Sequence, residues 1–153
     1  MAQHDEEQWF TMCVFQDTDW AGRGLDALKE KGFGADSISV LSKQTVENDA
    51  FVKEKLGFNA DHLDVRGMGT LVAVGPLVGA LQGDDEGLGR TGIAATIRRV
   101  GFQAHDGFIY QTLTERGGVL VAVEGQPRAA DALALFHSYG GGNAAIGAWN
   151  GRV

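Results

Sequence analysis

The feature that most constrains the fold is a repeat between the two ends of the chain, which align without a gap at an offset of 108 residues. Large apolar residues and glycines both match at this offset. The matched pairs include Met12 and Leu120, Phe15 and Val123, Leu25 and Leu133, and Gly32 and Gly140. A chance match between stretches rich in Ala, Leu and Gly is the alternative explanation. We interpret the match as two copies of one structural unit.

The first copy, residues 8–43, is typical of a β-α-β unit. QWFTMCVF is rich in aromatic and β-branched residues, which favour a buried strand. QDTD supplies helix-capping residues, and the apolar residues at Ala21, Leu25 and Leu28 then have helical spacing. SISVLSK alternates polar and apolar side chains, which indicates a second strand.

The second copy, residues 118–149, repeats this order with GGVLVAV, RAADALALFHSYGG and NAAIGAW. Two β-α-β units with both helices on one face of a shared sheet predict a ferredoxin-like α+β sandwich. Its sheet would have four antiparallel strands, with the strand from residue 118 paired to the strand from residue 8. We expect one domain over residues 1–153, preceded by a loose tail at 1–7.

Between the two halves lies an insert, residues 44–117, that the sequence predicts to be helical and rich in glycine. Residues 45–57 predict a helix with Val46, Ala50 and either Phe51 or Val52 facing inward. Two further helices are predicted to end near Gly101 and Gly117. The insert is where this chain should differ most from other proteins of the same fold.

The charge of the chain limits its partners. With 13 Lys and Arg against 20 Asp and Glu, the net charge is −7, which argues against nucleic acid or an anionic membrane as the partner. The uncharged stretch at 67–83 is short and interrupted by glycines, so no membrane span is expected. The single Cys13 lies in an apolar run and suits the reducing cytoplasm, where we expect the protein to be.

One stretch, GLGRTG, matches the G-x-G-x-x-G pattern of nucleotide-binding turns at Gly87, Gly89 and Gly92. In such turns the glycines directly follow a buried strand, and the helix N-terminus faces the phosphate. Here acidic GDDE precedes the motif, and the nearest strand candidate, TLVAV, ends at Val74. The context therefore favours a loop over a nucleotide site.

The sequence predicts no catalytic residue, no metal site and no cofactor. None of the four serines lies on a glycine-flanked turn between a strand and a helix, where a nucleophile would be exposed. The neighbouring acidic and histidine residues lack the spacing of known zinc or calcium sites. They are Asp61, His62 and Asp64, Asp84 to Glu86, and His105 with Asp106.

The order of these segments, together with RGMGTLVAVGPLVGAL and RGGVLVAVEG, resembles the bacterial general stress protein family, the heat-induced YflT-type domain, over residues 8–148. In that family a G-x-G, small apolar residues and Gly-Pro-Leu connect the two halves. Here Gly67, Gly69, Gly75, Pro76 and Leu77 occupy those places. The resemblance implies a role in stress without an established reaction. This chain has only a compact form of the glycine-rich hairpin of longer relatives, which argues against membrane association.

The glycine-rich stretch is the candidate interface or pocket, because small residues let other elements approach closely. Its apolar side chains either cover the open face of the sheet or form a contact between subunits. The first alternative predicts core packing and the second a homo-oligomer, most simply a twofold dimer. The candidate residues are Gly67, Gly69, Val74, Gly75, Pro76, Leu77 and, from the family pattern, Tyr110.

We therefore expect a non-enzymatic stress-response module that acts by self-association or by docking to a partner. The alternative is a protein that binds a small molecule, or an unrecognised enzyme, with a pocket between the insert and the sheet.

Overall fold

The computed structural model describes residues 10–125 and 129–141. They form an α+β structure in which one sheet is packed between two layers of helices. The predicted tail at 1–7 and the predicted last strand, NAAIGAW, lie outside the described residues. The strands are β1 (Phe10–Phe15), β2 (Ile38–Lys43), β3 (His62–Val65), β4 (Gly69–Val74) and β5 (Val119–Glu124).

Seven α-helices connect or cover these strands in the described residues, and short 3-10 helices precede β2 and follow α5. The helices are α1 (Thr18–Glu30), α2 (Val46–Leu56), α3 (Pro76–Gln82), α4 (Gly87–Thr91), α5 (Ile93–Thr96), α6 (Ala104–Glu115) and α7 (Ala129–Ser138). The predicted helices α1, α2 and α7 are present, and Gly101 and Gly117 end helical segments at positive φ, as expected.

The strands are ordered β1-β5-β2-β4-β3, and each neighbouring pair is antiparallel. Strand β5 lies between β1 and β2, with Val121 opposite Cys13 on one side and Val40 on the other. Strands β1 and β2 therefore run in the same direction, each followed by a helix. The predicted pairing between the two halves of the chain is confirmed.

The predicted four-stranded sheet is wrong, because the described sheet has five strands. The hairpin β3–β4, which belongs to the insert, extends the sheet beyond β2. Gly67 and Gly69 form its turn at φ +83° and +85°, and the Met68 N–H donates to the Val65 carbonyl at 2.9 Å. The sequence offered TLVAV, which is part of β4, as a strand candidate, but β3 has only four residues and was not predicted, so the insert was expected to be helical.

Helices cover both faces of the sheet. Alternate residues of β5 point to opposite sides: Val121 packs in the layer of α1, α2 and α7, and Leu120 in the layer of α3 to α6. All of β5 except Glu124 is buried, as expected for a strand covered on both faces. The insert thus supplies the cover that a second subunit would otherwise have to provide.

Helix α2 has a different orientation from the one predicted. Phe51 and Val52 are buried, whereas Val46 is 85% exposed and Ala50 is exposed. Val46 is the first residue of the helix, directly after the cap Thr45, so it lies beyond the edge of the core. Helical periodicity predicts which residues share a face of the helix, but it does not predict which end of the helix extends beyond the core.

The junction between β4 and α3 is fixed on strand β2. Gly75 has φ +98°, and a Cβ there would lie 2.5 Å from both the Ile38 carbonyl oxygen and the Ser39 Cα. Pro76 begins α3, and the next N–H, of Leu77, donates to the Ser39 Oγ at 2.9 Å. Only glycine is compatible with this close contact between Gly75 and β2, because both the positive φ and the short distances to the β2 backbone exclude a side chain.

We predict that Gly75→Ala lowers the free energy of unfolding by about 2 kcal/mol or more, because alanine would be strained in φ and would collide with backbone. Gly79→Ala is the matched control: Gly79 is an exposed residue of α3 with nothing within 4 Å of the added Cβ. The control should gain about 0.5–1 kcal/mol. Urea unfolding measures both. Equal stability of Gly75→Ala and the natural chain would contradict the packing described.

Candidate functional site

The GLGRTG stretch forms helix α4 and packs against the edge strand β3. The Gly89 N–H donates to the Gln82 Oε1 at 2.9 Å, and the Gly89 carbonyl accepts from the Arg66 N–H at 2.8 Å. Helix α4 follows α3 rather than a strand. Gly87 and Gly89 make close packing contacts, and the turn from strand to helix that binds phosphate is not formed at this motif.

Arg99 holds the acidic loop before α4. Its guanidinium donates to the Leu81 and Gln82 carbonyls at 2.9 and 3.0 Å, and to both carboxylate oxygens of Asp85 at 2.9 and 2.8 Å. A Cβ at Gly87 would lie 2.6 Å from its nitrogens. The hydrogen bond with Arg99 lowers the pKa of Asp85, and the same bond raises the pKa of Arg99. The sequence did not indicate this role of Arg99, because the residues that it contacts lie 14 to 18 positions earlier in the chain.

We expect Arg99→Lys to lower the midpoints of thermal and urea unfolding, since an ammonium cannot replace the forked guanidinium contacts to two carbonyls and a carboxylate. The adjacent exposed Arg98 provides the control, and Arg98→Lys should leave the stability within about 0.5 kcal/mol of the natural chain. Thermal and urea unfolding check the difference. Identical effects of the two substitutions would show that the Arg99 contacts add nothing.

The structure does not gather the predicted interface residues into one surface. Val74, Leu77 and Tyr110 are buried in the core, each with 3% exposure or less. Gly67 and Gly69 lie in the exposed β3–β4 turn, at the end of β4 away from Gly75 and Pro76. The apolar side chains of the glycine-rich stretch therefore pack in the core, which is the first of the two alternatives predicted from the sequence.

Tyr110 and Cys13 are packing residues. The Tyr110 ring meets Phe102 edge to face at a centroid distance of 5.8 Å. Burial, with a smaller contribution from Asp106, raises the pKa of Tyr110. Burial also raises the pKa of the Cys13 thiol, so it is held neutral in the core.

Two of the acidic and histidine residues that were compared with metal sites in the sequence, His62 and Asp64, are bound to separate partners. The His62 Nε2 lies 2.8 Å from Asp49 Oδ1, and the bonds from His62 and then Gln44 lower the pKa of Asp49. The Asp64 carboxylate accepts from the Thr70 hydroxyl at 2.6 Å. Within residues 10–125 and 129–141, no group of three or more such side chains could hold a metal ion.

One cavity lies between the insert and the sheet and has a volume of about 270 Å³. We call it the insert–sheet cavity. Pro76 is the one residue of the predicted site among those that line it. The lining residues are Phe10, Pro76, Ala80, Arg99, Val100 and Glu124.

A longer depression runs between helices α1 and α2, and we call it the α1–α2 groove. It consists of two adjoining concavities of about 400 and 410 Å³, which share Thr18, Asp19 and Glu47. The first is lined also by Gly22, Arg23, Asp26, Ala50, Phe51, Glu54 and Lys55. The second is lined also by Asp17, Lys43, Thr45, Asn48, Gly117 and Val119.

The groove follows from the parallel strands β1 and β2. Because both strands end at one edge of the sheet, α1 and α2 start there and run side by side. Asp17 caps α1 by accepting from the Trp20 N–H, and Thr45 caps α2 by accepting from the Asn48 N–H. The helices approach at Gly22, where a Cβ would lie 3.2 Å from the Lys55 Cε.

Carboxylates dominate the walls of the groove. Five acidic side chains face three basic ones among its lining residues. Lys55 pairs with Asp26 at 3.1 Å across the groove, and Arg23 lies 4.8 Å from the centre of the Trp20 ring. The sequence did not indicate this site, because each helix contributes ordinary exposed residues and only the packing of α1 on α2 brings them together.

Comparison with protein-family models, with curated protein sequences and with solved structures finds no match to the chain. The resemblance to the general stress protein family stays a prediction from the sequence. Within the described ranges, no helix has both the length and the apolar character that crossing a membrane requires.

Proposed function

We propose that the protein is a non-enzymatic module of the stress response that docks a protein partner in the α1–α2 groove. The observation that supports this most is the shape of the groove, which is open to solvent and extends over two adjoining concavities. A small molecule is usually bound where most of its surface is enclosed. An open trough between two exposed helices suits a segment of another chain.

In the part of the chain that the structure describes, the two side chains whose pKa values are raised by burial lie away from the candidate sites. Catalytic sites usually place groups with strongly shifted pKa values in a cleft. In the described residues, the two groups whose pKa values are raised by burial, Cys13 and Tyr110, lie in the core and line neither the groove nor the insert–sheet cavity. The groove offers charge and hydrogen-bonding groups for recognition.

Self-association stays a proposal, with a different surface from the one first predicted. Leu77 and Val74 are part of the core of a single chain, so a dimer contact through them would require unfolding of that core. Exposed apolar side chains are the better candidates, and Phe108 on α6 is 63% exposed. Light scattering coupled to size exclusion measures whether the chain is a dimer.

A photo-crosslinking experiment tests partner docking. We expect p-benzoylphenylalanine at position 50, in the groove, to give a light-dependent adduct of defined mass in the cells that make this protein. The control position is 115, an exposed residue of α6 on the opposite face of the sheet. It should give no such adduct. Absence of an adduct at position 50, or the same adduct from both positions, would contradict docking in the groove.

The insert–sheet cavity is as open to solvent as the groove but more apolar, and it supports a second candidate function, the binding of a small molecule. Its wall is mainly apolar, from Phe10, Pro76, Ala80 and Val100, and Glu124 and Arg99 supply polar groups. The volume of about 270 Å³ is close to the lower end of the range of small-molecule sites.

Native mass spectrometry checks this second function. A bound small molecule should appear as a mass added to the purified protein and should be lost in Ala80→Phe, which fills part of the cavity. Ala95→Phe, at an exposed position of α5, should keep it. A natural chain that carries no added mass, or an added mass that survives Ala80→Phe, would rule out the cavity as the binding site.

A further inference from the structure

We infer that the segment that docks in the α1–α2 groove is basic, with Lys or Arg side chains that pair with Glu47, Glu54 and Asp19 and apolar residues between them. This inference rests on the proposed docking function and adds the chemistry of the partner. It follows from three properties of the groove: its charge, the spacing of its carboxylates and the apolar residues along it.

The charge comes from carboxylates without a cationic partner. Asp26 is paired with Lys55, and Arg23 is placed over the Trp20 ring. Among the described residues, Asp19, Glu47 and Glu54 form no ion pair. They lie on both walls, Asp19 on α1 and the two glutamates on α2. A cationic segment in the groove would therefore meet opposite charge on each side.

The spacing of the carboxylates sets the spacing of the cations. Glu47 and Glu54 are seven residues apart on one helix, so they are separated by about 10 Å along its axis. A peptide in the polyproline II conformation has three residues per turn and rises about 3.1 Å per residue, so its positions i and i+3 lie on one face about 9 Å apart. Two basic residues at positions i and i+3 of such a segment can thus pair with both glutamates on α2, while a residue on another face of the segment can be directed towards Asp19 on α1.

The groove also offers apolar surface between these charges. Phe51 lies at its base, and the exposed Ala50 is on the α2 wall between the two glutamates. A purely charged partner would leave the exposed Ala50 side chain in water. A segment with apolar residues between its basic ones covers it.

The negative charge would also attract a basic segment to the groove. The net charge of −7 attracts cations from a distance, and the groove holds carboxylates at fixed positions on two helices. Because the carboxylates are exposed, each pair contributes little, and salt weakens it. We therefore expect moderate affinity with a strong dependence on ionic strength.

The test uses the full chain and a fluorescent twelve-residue peptide, (Lys-Leu-Ala)4, with (Glu-Leu-Ala)4 and spermine as comparison probes. We expect saturable binding of the lysine peptide by anisotropy at low salt, and weakening by about fivefold in the double variant Glu47→Gln and Glu54→Gln. The matched control, Asp36→Asn with Glu115→Gln, removes the same charge from exposed positions elsewhere and should bind within about twofold of the natural chain.

Equal weakening in both double variants would mean that only the net charge matters and would overturn the inference. Equal binding of the glutamate peptide would overturn it as well, and tighter binding of spermine than of the lysine peptide would assign the groove to a small polyamine instead. If the lysine peptide does not bind while the adduct at position 50 persists, the partner is not basic and docking still holds. Loss of that adduct too would end both proposals.

Discussion

The pairing of β5 between β1 and β2 is the interaction on which the rest of the structure depends. Its partners lie far away in the sequence, so forming it closes two long loops at once, and this entropic cost is offset by burying a strand on both faces. Val121 and Leu120 connect the core on one face with the core on the other. Once β5 is in place, β1 and β2 must run in the same direction.

Glycine lets the two helical layers come close to this sheet and to each other. The chain has 23 glycines, and several of them occupy positions where a side chain has no room. A Cβ at Gly24 would lie 2.6 Å from the Phe15 ring, and one at Gly107 would lie 2.9 Å from the Ala94 Cα. Among the described residues, some glycines are thus explained by packing contacts, including those of the GLGRTG stretch, and others by turns and helix ends at positive φ.

The α1–α2 groove is a consequence of the same topology. Parallel β1 and β2 start both helices at one edge of the sheet, and the helices then enclose a trough whose walls carry exposed carboxylates. The insert has a different role, because α3 to α6 cover the other face and the β3–β4 hairpin extends the sheet. The core is therefore complete without a second copy on either described face, and the surface between α1 and α2 is available for recognition.

The sequence by itself determined the local units: the strands β1, β2 and β5, the capped helix α1, the presence of helix α2, the glycine ends of helices, and the pairing of the two halves. These features depend on residues that are close together in the sequence, or on a repeat that is visible in a single sequence. Only the tertiary structure decided the rest. Whether Leu77 would be core or interface, which strand His62–Val65 would join, and which carboxylates would face each other across the groove all depend on contacts between segments distant in sequence. Local sequence patterns do not specify such long-range contacts.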